Sequence, residues 1–138
     1  EVNVLALCIC TREATSDMLR RKSPGHVIHL SSMSAHRVPT GSGVYSASKF
    51  AVRSLTESLR QELRAIDAPI RITSISPGFV ETEFAEVYSG SPAQAREVYS
   101  QFPVLQAEDI GNAVWYALSQ PAHVQVHDIL IRPTQQPS

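Results

Sequence analysis

Lysine is scarce in this chain: Lys22 and Lys49 are the only two, and arginine fills the other basic positions. Charge of either sign is not in surplus, since 12 basic and 13 acidic residues leave a formal net charge of −1. A cationic face for nucleic acid or an anionic membrane is therefore not expected. No apolar run approaches the roughly 20 residues of a membrane-spanning helix, and the longest, Val2 to Cys10, is interrupted by Asn3. Cysteine is limited to Cys8 and Cys10. Side chains two apart on a helix diverge, so no bridge is expected between them. They read as small buried apolar residues in a reducing compartment, the cytoplasm. At 43% hydrophobic residues the chain is too apolar to be disordered. Its 138 residues suit one domain or part of a larger one.

Helical and extended patterns alternate along the chain. Val2 to Arg21 carries a helical stripe that Ser23-Pro24-Gly25 breaks. His26 to Leu30 is short and rich in β-formers, and a Ser- and Gly-rich stretch follows to Gly43. The strongest helix comes next, with Val44, Ala47, Ala51, Leu55, Leu59, Leu63 and Ile66 at helical spacing opposite Arg53, Glu57, Arg60, Glu62 and Arg64; Pro69 ends it. Ile70 to Ile75 reads as a second strand, stopped by Pro77-Gly78. Residues 79–105 look irregular apart from a helix start at Ser91-Pro92, where Gln94 would complete a capping box. A helix from Ala107 to Ser119 has Glu108 and Asp109 in its first turn, and Val124 to Ile131 reads as the last strand.

Strands separated by crossover helices imply an α/β fold with a parallel sheet and helices on its faces. Three strands alone leave an unpaired edge, and the chain starts at Glu1 on a helix. The expectation is a partial doubly wound, Rossmann-like sheet. Residues 1–138 would be the C-terminal part of a single domain whose N-terminal dinucleotide-binding half is absent.

The chemically informative stretch is Gly43-Val-Tyr-Ser-Ala-Ser-Lys49, where Tyr45 and Lys49 share one helix face at i, i+4. A phenol near pKa 10 is a poor acid or base at neutral pH. A fixed ammonium nearby would favour the phenolate and bring the tyrosine into range for proton transfer. The plain alternative is a packed tyrosine beside a lysine whose stem covers apolar surface. Ser32 stands at the end of the first strand, where open α/β sheets bind ligands, although within Ser31-Ser32-Met33-Ser34 a hydroxyl by itself reads as loop solvation.

A Ser at a strand end, Tyr45-Ser-Ala-Ser-Lys49 opening the next helix and Pro77-Gly-Phe-Val-Glu-Thr82 after the next strand together resemble the short-chain dehydrogenase/reductase family. Ser32 to Val38, Arg60 to Arg64 and Pro121 to Pro133 resemble its member-11 subgroup, which includes insect farnesol-dehydrogenase-like enzymes. The resemblance implies an oxidoreductase that moves hydride between NADP(H), with NAD(H) as the alternative, and a small-molecule carbonyl or alcohol. Tyr45 would be its acid and base and would also meet the cofactor. Lys49 would depress the phenol's pKa and bind the nicotinamide ribose, Ser32 would hold the substrate oxygen, and Asn3 would hold a water in a proton relay. Pro77, Gly78, Val80 and Thr82 would lie against the nicotinamide, with the Val80 backbone and the Thr82 hydroxyl meeting its carboxamide. In complete form the resemblance implies an oligomer of identical chains. Met33, Val38, Phe84, Val87 and Phe102 suggest an apolar pocket for a steroid or isoprenoid, and equally suit a core.

Several patterns weigh against other readings. Gly41-Ser-Gly43-Val-Tyr-Ser46 lacks the third glycine and the preceding strand of a dinucleotide fingerprint. Ser46-Ala-Ser-Lys49 matches an S-x-x-K hydrolase motif without its companion motifs. His123 and His127 on an extended strand would be roughly 13 Å apart, too far to share a metal, so no metal site is expected. The remaining alternative is a truncated, non-catalytic member that acts only in association. The 138 residues alone are expected to bind nicotinamide cofactor poorly and to aggregate.

Overall fold

The computed structural model describes residues 1–137. A π-helical stretch, Val2–Ala6, runs into α1, Leu7–Arg21. Then come β1, Gly25–Leu30; a 3-10 turn, Met33–Ala35; α2, Gly43–Ala65; and β2, Ile70–Pro77. Two shorter helices, α3, Phe84–Ser89, and α4, Pro92–Ser100, precede α5, Ala107–Ser119, and β3, Asp128–Ile131. The strands form one parallel sheet in the order β1-β2-β3, with Val27 opposite Ile72 and Ile75 opposite Ile129.

The central strand carries the core, and every residue from Ile72 to Pro77 is buried. Alternation splits that strand between two faces. Ile72 and Ser74 line the side under α2, while the guanidinium of Arg71 reaches the Leu118 carbonyl at the end of α5 at 3.3 Å. Helices therefore cover both faces, as a doubly wound sheet requires. Val52 and Leu63 of α2 and Ala113 and Ala117 of α5 add buried apolar residues from the helices.

Four sequence expectations need correction. The last strand spans only Asp128–Ile131, because side chains hold residues 124–126 off the ladder. Arg71 donates to the carbonyls of Gln120 at 3.1 Å and Val124 at 3.3 Å, Thr73 donates to Val126 at 2.7 Å, and the Gln125 amide occupies the Ile72 carbonyl. Residues 79–105 contain α3, which the irregular pattern concealed. The Ser91 cap is half a box: its hydroxyl accepts from the Gln94 N–H, but its own N–H donates to Ser89 Oγ. The reciprocal box lies instead at Gln106 and Asp109 on α5. Cys8 and Cys10 are free thiols, yet Cys8 is half-buried and Cys10 exposed, since that turn of α1 keeps part of its surface open.

A buried histidine, His29, ties the layers together. His29 Nδ1 meets Thr56 Oγ1 of α2 at 2.8 Å, and its Nε2 meets Thr11 Oγ1 of α1 at 2.9 Å. Thr56 spends its own hydrogen on the Val52 carbonyl, so Nδ1 must be the donor and Nε2 accepts from Thr11. Burial lowers the His29 pKa; burial and then the charge of Arg71 lower that of His26. A histidine whose folded pKa lies below its unfolded value contributes stability that is complete above the unfolded pKa and is lost as pH falls below about 6.5. The full-length protein is therefore expected to lose unfolding free energy on acidification through that point. His29→Gln should flatten the loss in urea titrations, and an unchanged pH slope in that variant would contradict the assignment.

Candidate active site

Both strand ends that build the site lie at the carboxyl edge of the sheet, where parallel strands leave a crevice for ligands. β1 delivers Ser32, which caps the 3-10 turn by accepting from the Ser34 N–H at 3.0 Å. The first two turns of α2 deliver Tyr45 and Lys49, with Lys49 Nζ 5.8 Å from the Tyr45 ring centre. The Ser32 hydroxyl stands near the Tyr45 phenol and favours its ionised form. Serine, tyrosine and lysine are thus brought to one place, as their spacing suggested.

The electrostatics differ from the sequence expectation. Burial is the largest influence on Tyr45 and pushes its pKa up, while Ser32 pulls it down and the charge of Tyr88 raises it. Burial lowers the pKa of Lys49, and its ammonium is directed at the Leu30 carbonyl, 3.1 Å away, which pins α2 to the end of β1. The covering of Tyr45 comes from α3: Phe84 and Tyr88 lie 5.6 and 5.7 Å from the Tyr45 ring centre and 5.6 Å from each other. Of these rings the sequence pattern marks Phe84 and not Tyr88. Their i, i+4 spacing was the available signal.

Asn3 sits in the π-helical stretch, a geometry frequent at functional sites. Its side-chain amide donates to Ser48 Oγ at 3.0 Å, and Ser48 donates to the Tyr45 carbonyl at 2.7 Å. Asn3 is therefore linked to the helix that bears Tyr45 and Lys49 through Ser48, a connection no sequence pattern announced.

The Pro77–Thr82 turn divides into two parts. Pro77 is buried, and Gly78 donates to the Ile131 carbonyl at 2.7 Å. A Cβ on Gly78 would stand 2.2 Å from Gln136 Oε1 and 2.8 Å from the Arg132 Cβ, so glycine is required for the C-terminal segment to close there. Gln136 fixes the turn by accepting from the Phe79 N–H at 2.9 Å. Beyond it, Leu105 bridges the groups flanking Val80, donating to the Phe79 carbonyl and accepting from the Glu81 N–H. The N–H and carbonyl of Val80 consequently point away from the bridge. Thr82 Oγ1 accepts from the Phe84 N–H at 3.2 Å, and the Tyr99 hydroxyl clamps the Thr82 backbone, donating to its carbonyl at 3.1 Å. The apolar candidates separate likewise: Met33 is core, Phe102 stacks on Phe79, and Val38, Phe84 and Val87 are exposed.

Two rival chemistries fare differently. Ser46 has no exposed surface and its hydroxyl pairs with Ser42 at 2.8 Å, so it is unreachable as a hydrolase nucleophile. The strand spacing expected between His123 and His127 does not apply, because both precede β3. Among the described residues no group of three or more His, Cys, Asp or Glu is placed to hold a metal ion.

A parallel sheet covered on both faces, with Ser, Tyr and Lys gathered at its carboxyl edge, defines a doubly wound α/β architecture with its candidate site at the strand ends. The chain belongs to the short chain dehydrogenase family, whose model matches residues 1–91. It is 52% identical, over 98% of its length, to dehydrogenase/reductase SDR family member 11 of Homo sapiens, spanning 54% of that protein. To farnesol dehydrogenase of Aedes aegypti it is 39% identical over 96% of its length and 52% of the relative. Among solved structures it superposes on a closed form of serine dehydrogenase complexed with NADP+ with a TM-score of 0.86 at 33% identity, covering 93% of this chain and 51% of that one. The chain spans about half the length of the curated relatives it matches. No helix among the described residues is long and apolar enough to cross a membrane.

Proposed function

We propose that this chain is the C-terminal part of one short-chain dehydrogenase/reductase domain. The complete domain would transfer hydride between NADP(H) or NAD(H) and a carbonyl or alcohol, with Tyr45 as acid and base. The carrying observation is the convergence of Ser32 and Lys49 on Tyr45 at the carboxyl edge of the sheet. The cofactor, when bound, supplies the hydride chemistry. Chain residues fit its nicotinamide end. The backbone groups of Val80 are turned away from their bridge, the Thr82 hydroxyl keeps its hydrogen to donate, and Lys49 has two N–H groups beyond the one bonded to Leu30.

In the reductive direction Ser32 holds the substrate oxygen and the Tyr45 phenol gives it a proton. The raised pKa keeps that phenol protonated at neutral pH. In the oxidative direction the phenolate must take the proton, and Asn3, through a water, would pass it onward. Phe84 and Tyr88 over Tyr45 favour a broad apolar substrate, a ketosteroid or an isoprenoid aldehyde and their alcohols. The exposed Cys10 thiol suits a reducing cytoplasm. Exposed Leu5 of the π-helical stretch, Ile9 of α1 and Phe50 of α2 suit contact with further chain or a second copy.

The test uses the full-length protein with NADPH or NADH and a panel of ketosteroids and isoprenoid aldehydes, following cofactor oxidation. Reduction is expected to hold across neutral pH, and alcohol oxidation to climb as pH rises toward the phenol's pKa. No turnover on any carbonyl with either cofactor would overturn the reading.

A further inference from the structure

A second cavity lies away from Tyr45, under the C-terminal half of α2, where the helix crosses β2 and the start of β3. Its volume is about 260 Å³, and its polar wall is made by Arg53, Glu57, Arg60, Ser74, His127 and Asp128. The two carboxylates in that wall are already engaged. Glu57 accepts from Arg60 Nε at 2.8 Å and Nη2 at 2.6 Å and from the Gln61 amide at 2.8 Å, and its pKa is held down to about 2 by these bonds. Asp128 accepts from Ser76 at 2.7 Å and pairs with His36 at 2.8 Å.

The groups left over are all able to donate. Arg53 makes a single bond, to the Ala35 carbonyl at 3.3 Å, which leaves most of its guanidinium hydrogens free. Ser74 is 3% exposed, and its hydroxyl, on the cavity wall, has no hydrogen-bond partner among the described residues. An unpaired buried hydroxyl costs stability unless something enters to meet it. His127 stands at the mouth on the same side.

We propose that this cavity binds a compact oxyanion, a carboxylate or phosphate group, with Arg53 supplying the charge and Ser74 a buried hydrogen bond. An incoming anion meets satisfied carboxylates and unsatisfied donors, so its oxygens complete the wall. A cation would meet Arg53 with no free carboxylate to offset it. The site is separate from the chemistry at Tyr45 and does not depend on it: Arg53 lies two helical turns beyond Tyr45, and none of the wall residues belongs to the Ser32–Tyr45–Lys49 group.

The full-length protein, saturated with nicotinamide cofactor so that phosphate cannot occupy the cofactor's own seat, is titrated with inorganic phosphate and, separately, with acetate. Calorimetry follows binding, and the proton resonances of the His127 ring report its place. Saturable binding of either anion that shifts His127 is expected, and which of the two binds tells phosphate from carboxylate recognition. Arg53→Gln should weaken it by about tenfold or more, as loss of a charged hydrogen-bond donor does, and Ser74→Ala by a smaller factor of about threefold. Both variants should keep wild-type carbonyl turnover. Should Arg53→Gln not fold, Ser74→Ala decides alone. Absence of binding to the cofactor-saturated protein, or equal affinity in wild type and the folded variants, overturns the site.

Discussion

Tyr45→Phe in the full-length protein is expected to lower kcat about 10²–10⁴-fold while leaving cofactor affinity near wild type, because general acid–base catalysis contributes rate factors of that size. The substitution removes one oxygen and its proton. The ring stays, and with it the packing against Phe84 and Tyr88, 5.6 and 5.7 Å away. Loss of activity through collapse of the site is thereby separated from loss of the transferable proton. The burial that raises the Tyr45 pKa also makes the phenol a proton donor across neutral pH, while Ser32 favours the phenolate. Steady-state kinetics in both directions check the point. A variant that reduces carbonyls within a few-fold of wild type would leave the phenol as a packing group and remove the basis of the proposed chemistry.

Lys49→Met should strike cofactor binding as well as turnover. One of three ammonium hydrogens is committed to the Leu30 carbonyl at 3.1 Å, and two remain for the ribose. Each hydrogen bond to a charged group is worth about 1.5–3 kcal/mol, so losing two weakens cofactor binding by about 10²-fold or more. Arginine would not rescue it, since a planar fork cannot reproduce a compact ammonium in this half-buried place. Direct titration of the cofactor gives the affinity and single-turnover measurement gives the chemical step. If cofactor affinity were unchanged, Lys49 would serve only to tie α2 to β1.

The two variants probe different links between sequence and site. The i, i+4 placement of Tyr45 and Lys49 was legible because a helix fixes it locally, with no help from the rest of the fold. Ser32 was legible by position, at the end of a β-rich run. The acidity of Tyr45 was not, because it depends on what covers the phenol, and α3 falls in a stretch with no clear periodicity. Likewise Tyr99 clamping Thr82, and Ser48 joining Asn3 to the Tyr45 carbonyl, are contacts between segments remote in sequence. The overlong last strand failed for a related reason. Alternation from Val124 onward is a local signal, whereas Arg71 and Thr73, which occupy the Val124 and Val126 carbonyls, reach them through the tertiary fold.

Residue order alone determined the alternation of helices and parallel strands, the shared face of Tyr45 and Lys49 and the family resemblance, since all three rest on short-range periodicity and spacing. Tertiary structure decided the direction of the Tyr45 pKa shift, the division of the Pro77–Thr82 turn into a packed part and an open part, and the unpaired donors beneath α2. Burial and hydrogen-bond saturation are properties of neighbours in space, and no spacing along the chain records them.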